Sequence, residues 1–157
     1  VIRFTLDIPP QSGQFGKRLV VMPNGKPRFF SDARKERFQR QVATLAQRFA
    51  PIEPMDGPLQ VDLVFVVSRP KRLCRKCDPD GLIPCDVRPD RINCGKLIED
   101  ALAPCGFWHD DAQIADGRVA KFYAERDGSP RIEVTIAPIN PLTENYQPGE
   151  LPGMILK

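Results

Sequence analysis

Three aspartates and one lysine in the second half of this chain have types and spacings that suit phosphodiester chemistry. Asp90 falls where a helix would begin, and Asp110 and Asp111 follow that helix after a short turn. If the chain doubles back there, the carboxylates meet at one end of a sheet. Crowded carboxylates repel one another, and a divalent cation relieves the repulsion. Hard divalent cations such as magnesium favour such oxygen ligands, and a bound ion activates water and stabilises the leaving oxygen. Lys96 lies six residues after Asp90, nearly two helical turns on, where its ammonium would neutralise charge building on a phosphate. Each residue also has a plainer reading. An aspartate before a helix is usually a cap, an Asp-Asp pair in a turn is usually turn chemistry, and a helix lysine is usually solvated.

A locally basic stretch precedes these residues. Arg69, Lys71, Arg72, Arg75, Lys76, Arg88 and Arg91 stand against Asp78, Asp80, Asp86 and Asp90, in a chain whose net charge is only +3. Such a segment can hold a polyanionic backbone while the rest of the chain stays balanced, so these seven cations are the expected DNA-binding residues. A solvated loop is the bland alternative. All five cysteines fall between positions 74 and 105. An odd, clustered set argues for reduced thiols or metal in a cytoplasmic protein rather than a secreted disulfide framework. Cys74, Cys77, Cys85 and Cys94 would supply four thiolates to a structural zinc; unpaired loop thiols, with Cys94 and Cys105 in the core, are the alternative. His109, the sole histidine, is either a proton-transfer or phosphate contact or a surface turn residue. Phe107 and Trp108 read as core anchors, with base stacking as the rival role.

The elements that must position these side chains follow from periodicity. Ile2, Phe4, Leu6 and Ile8 alternate as a strand closed by Pro9 and Pro10,. Residues 11–28 read as a loop rich in Gly, Lys and Arg, with a turn at Pro23, Asn24 and Gly25,. Ser31 or Asp32 would cap a helix to about Phe49, with Phe38, Val42, Leu45 and Phe49 on one face,. Residues 59–67 are apolar on both faces, which predicts a central strand,. Residues 69–89 form a long proline-interrupted insertion, and a second helix runs from about Asp90 to Leu102,. Residues 114–125 and 131–137 read as a closing hairpin turned at 126–129,. The fold class is α+β, a small mixed sheet with two helices on one face. One domain spans residues 1–138, followed by a Pro-rich tail at 139–157. No apolar run approaches the eighteen or so residues of a membrane span, and no secretory leader is visible.

The residues from 90 to 113 carry a resemblance. They read Asp-Arg-Ile-Asn-Cys-Gly-Lys, then Glu-Asp-Ala-Leu, then Gly-Phe-Trp-His-Asp-Asp-Ala-Gln. This resembles the RusA family of Holliday-junction resolvases, with its Asp-x-Asp-Asn-x-x-Lys, Asp-Ala-Leu and Gly-x-Trp-x-Asp-Asp-x-Gln. Asp90, Asn93, Lys96, Asp100, Ala101, Leu102, Gly106, Trp108, Asp110, Asp111 and Gln113 fall in register without a gap. The likeness extends more loosely to about residue 137.

The resemblance implies a homodimeric, magnesium- or manganese-dependent endodeoxyribonuclease of bacterial or phage origin. Such an enzyme nicks opposing strands of a four-way junction symmetrically during recombination, repair or phage DNA processing. It further implies that Asp90 and Asp111 are metal-binding catalytic carboxylates, with Lys96 the essential lysine beside them; Asp110, next to Asp111, is a candidate third ligand from its position alone. One departure stands out: the family's second aspartate is Ile92 here, and isoleucine binds no metal. Either Asp86, Asp110 or another carboxylate takes over, or metal affinity falls, or the chain binds junctions without cutting them. A third reading makes it a basic interaction domain for another protein, with Asp90 and Asp111 far apart.

Overall fold

The computed structural model describes residues 1–11, 18–30 and 33–140. Its centre is β4 (Leu59–Val67), as expected from the apolar Val64 and Val66 on its second face. β8 (Arg131–Pro138) pairs antiparallel along one edge of β4, and β6 (Ile114–Asp116) and β7 (Val119–Tyr123) pair parallel along the other. β1 (Ile2–Leu6) extends the sheet beyond β8, and the short β5 (Ile83–Pro84) extends it beyond β7. The sheet is therefore mixed.

Both helices, α1 (Ala33–Ala46) and α2 (Arg91–Leu102), feed one hydrophobic core. Phe38, Val42 and Ala46 of α1 meet Leu97, Ile98, Ala101 and Leu102 of α2 over Leu59, Val61, Leu63 and Phe65 of β4. Each large apolar side chain buried there contributes about 1.5–3 kcal/mol. The helical face expected of α1 is thus the buried one. Its expected caps, Ser31 and Asp32, lie outside the described residues, as does most of the Pro-rich tail.

The expected closing hairpin is corrected. β7 and β8 do not pair with each other, because β4 lies between them. The first arm is also broken. Gly117 separates β6 from β7 and passes so close to β4 that a Cβ there would sit 2.1 Å from the Val61 carbonyl oxygen. The buried Asp62 bridges the break, accepting from the Arg118 amide at 2.6 Å and from Gln60 Nε2 at 3.2 Å. Burial raises the Asp62 pKa. A second correction concerns residues 18–30, which form an antiparallel ribbon of β2 (Arg18–Val21) and β3 (Pro27–Phe30) rather than a plain loop. The turn at Pro23, Asn24 and Gly25 is where expected, with Gly25 at φ 74° and Lys26 N donating to Asn24 Oδ1 at 3.1 Å.

Candidate active site

Asp90 is the N-cap of α2. Its Oδ1 accepts from the amides of Ile92 at 2.9 Å and Asn93 at 3.3 Å. The plain capping reading therefore holds, and it fixes the carboxylate at the positive end of the helix dipole. Asp90 opens into a groove lined also by Arg88, Arg91, Arg118 and Lys121. Lys121 Nζ donates to the carbonyls of Val87 and Pro89, and Arg91 Nη1 donates to Val119 O at 3.1 Å. Loop, helix start and β7 are thereby tied together.

Asp111 is aimed by a buried indole. Trp108 is 2% exposed, and its Nε1 donates to Asp111 Oδ1 at 2.9 Å. A buried Trp N–H needs an acceptor, so the core-anchor reading of Trp108 also explains the orientation of Asp111. Gln113 locks the same turn. Its Oε1 accepts from the His109 and Asp110 amides, while its Nε2 donates to the carbonyls of Met55 and Gly57. Asp110 Oδ1 accepts from Ala112 N at 2.7 Å, completing a capping box with Gln113. His109 pairs at 3.1 Å with exposed Asp56, the surface role.

Lys96 meets Asp111. Its Nζ lies 3.7 Å from Asp111 Oδ2 and 3.0 Å from Asp100 Oδ1. The hydrogen bond to Asp100 holds the ammonium pKa above its ordinary value, helped by the charges of Asp111 and Glu99. Glu99, half-buried, has its pKa raised chiefly by burial, opposed by Lys96. Glu99 and Asp100 had no role in the sequence reading beyond Asp100's place in the motif, although their spacing from Lys96 (i+3 and i+4) is the helical-neighbour signal.

Asp90 stands about 9 Å of helix rise before Lys96. Among the described residues, no group of three or more His, Cys, Asp or Glu side chains is gathered to hold a metal ion. Position 92, where a third acid would stand, carries an Ile that is 66% exposed. Asp90, Asp110 and Asp111 are nonetheless hard oxygen donors, each using Oδ1 to accept from a nearby N–H. Magnesium commonly needs only one or two carboxylates alongside substrate phosphate and water, so these residues suit that class of ion.

The zinc expectation finds no support, since among the described residues no three of these cysteines are gathered as ligands. Cys74 and Cys77 are exposed, Cys85 is half-buried and Cys94 is buried. The Cys94 thiol faces Gln11 O at 3.3 Å, and burial pushes its pKa up to about 11. Two arginines hold the insertion instead. Arg126 donates to the carbonyls of Cys74, Arg75 and Asp78 and to the Asp80 carboxylate. Arg69 donates to the carbonyls of Leu73, Pro79, Asp80 and Gly81. Arg69 is therefore directed at its own loop rather than outward. Lys71, Arg72, Arg75 and Lys76 remain exposed on the loop, as do Arg88 and Arg91 beside Asp90. Replacing Arg126 with alanine is expected to speed trypsin cleavage within residues 71–76 about tenfold, since the backbone beside these exposed side chains must unfold locally before a protease can cut it. Unchanged cleavage kinetics would show that the clamp does not hold the loop.

A family model described as endodeoxyribonuclease RusA matches residues 9–137. The chain is 32% identical over 145 residues to an uncharacterized protein, YqaN, of Bacillus subtilis, covering 88% of this chain and 97% of that one. It is 47% identical over 49 residues to the crossover junction endodeoxyribonuclease RusA of Escherichia coli K12. The same holds for that of Enterobacteria phage 82, and each of these two matches covers 31% of this chain and 39% of the relative.

Proposed function

This chain belongs to the RusA endodeoxyribonuclease family, and on that premise we propose that it resolves four-way DNA junctions by paired, symmetric nicking with magnesium or manganese. The observation that carries the reading is the convergence of Lys96 on Asp111, a carboxylate already fixed by Trp108. Asp111, joined by Asp90 or Asp110 and by substrate phosphate and water, would hold the divalent ion, which when bound supplies an activated water and stabilises the leaving oxygen.

The protein's own groups do the rest. Lys96 has three N–H donors, one of which is directed at Asp100, so two remain for the phosphate whose charge grows during cleavage. Trp108 and Gln113 keep Asp110 and Asp111 from swinging as substrate arrives, a form of preorganisation that rate depends on. Arg88 and Arg91, flanking Asp90, and the loop cations Lys71, Arg72, Arg75 and Lys76 would track the DNA backbone. These contacts position the substrate without reading its sequence. A four-way junction has two equivalent strands to cut, so a homodimer with two equivalent sites suits it. No helix among the described residues is long and apolar enough to cross a membrane. Action on bacterial or phage DNA would place the protein in the cytoplasm.

The test is incubation of the full chain with a synthetic four-way junction and a magnesium and manganese series. Paired nicks at symmetric positions are expected, yielding two linear duplexes. Intact junction with both metals would overturn the reading. Ile92 favours one other reading, a junction-binding protein that does not cut; it predicts salt-sensitive junction binding with no product in any metal.

A further inference from the structure

We propose that Asp100 is a positioning residue that holds the Lys96 ammonium beside Asp111, and that Lys35 of the other helix steadies Asp100 from behind. The inference rests on the reading of Lys96 as the phosphate-facing cation. Four side chains form a ladder of alternating charge: Lys35, Asp100, Lys96, Asp111. Asp100 sits between the two ammoniums, 3.5 Å from Lys35 Nζ and 3.0 Å from Lys96 Nζ. The contact of Lys96 with Asp111 is longer, 3.7 Å, beyond direct hydrogen-bond range. The direction of the ammonium is therefore set by Asp100, while Asp111 contributes only attraction at a distance.

Exposure supports the same division of labour. The Lys96 side chain is 63% exposed and its own packing does not hold it, whereas that of Asp100 is 27% exposed. A mostly solvated lysine samples many rotamers unless a partner selects one. Asp100 is one helical turn beyond Lys96, the spacing at which side chains on one face meet. Lys35 reaches the same carboxylate from α1, so the packing of the two helices fixes where Asp100 points. The site is thereby tied to an element that carries none of the acids assigned to it.

The ladder predicts a reversal that a purely structural role would not produce. In Asp100→Asn, the carboxylate charge that separates the two ammoniums is lost, and Lys35 then repels Lys96. The single-turnover nicking rate at saturating junction should fall about tenfold, with junction affinity within about twofold of wild type. Asp100→Glu should recover part of the rate. Lys35→Met alone should slow nicking about two- to threefold, yet added to Asp100→Asn it should raise the rate above that of Asp100→Asn alone.

A second readout needs no cleavage. The 15Nζ cross-peak of the Lys96 ammonium should be resolved in the wild type and averaged towards that of a free lysine in Asp100→Asn. Wild-type nicking by Asp100→Asn, or further slowing when Lys35→Met is added to it, would overturn the proposal. If neither the wild type nor any variant nicks junctions, the functional reading fails. The ammonium cross-peak then decides the ladder alone, and an unchanged peak in Asp100→Asn would reject it.

Discussion

Asp111→Asn is expected to reduce junction nicking by about a hundredfold or more while leaving the fold and junction binding near wild type. The substitution isolates charge from shape. The asparagine carbonyl oxygen can still accept from Trp108 Nε1, a bond of 2.9 Å in the structure, so the buried indole keeps its partner and the turn from Gly106 to Gln113 keeps its anchor. What disappears is the negative charge on the oxygen that faces Lys96 at 3.7 Å. That oxygen is also the one left over for a divalent ion. A loss of this kind would belong in the rate and not in affinity, because on the proposed function cations elsewhere would track the phosphates and govern binding. Single-turnover nicking, gel-shift affinity and thermal melting on the same preparation separate the three quantities. Nicking within a few-fold of wild type would remove Asp111 from the chemistry.

The second large effect runs the other way. Ile92→Asp is expected to raise the nicking rate about tenfold and to lower the metal concentration giving half-maximal rate. Position 92 is in the first turn of α2, 66% exposed, one helical turn before Lys96 on the same face. Removing an isoleucine from that surface leaves no cavity. An acid in the first turn of a helix is also favoured by the helix dipole, by roughly 0.3–1 kcal/mol. A metal titration of nicking measures both changes. On the cleaving reading the variant improves an existing activity; on the binding-only reading it creates one. If metal dependence and rate are both unmoved, position 92 is not a missing ligand.

How far the amino-acid sequence foretold this arrangement depends on the range of the interactions involved. The α1 face of Phe38 and Val42, the central β4 and the Asp90 cap rest on local periodicity and local hydrogen bonds, and each appears where the sequence places it. The pairing of residues 114–125 with 131–137 did not appear, because β4 inserts between them, and a distant strand leaves no mark on the segment it joins. The β2–β3 ribbon was within reach, since Leu19, Val20 and Val21 precede the Pro-Asn-Gly turn, but the surrounding Gly and Lys residues outweighed that signal. Within the site, Lys96 and Asp111 follow from the motif. The role of Asp100 required distances, and that of Lys35 required the packing of α1 on α2. The cysteine spacing suggested zinc because cysteines are conspicuous together. Arg69 and Arg126, which hold the loop, are 57 positions apart.

The arginine clamp changes how the basic stretch should be counted. A guanidinium already directed at carbonyls of its own chain, as Arg69 and Arg126 are, displaces few of the small cations condensed on DNA. The steepness with which affinity falls as salt rises reports how many such ions are released. That slope should therefore reflect the outward-facing lysines and arginines, and a tally of every basic residue in the segment would overstate it.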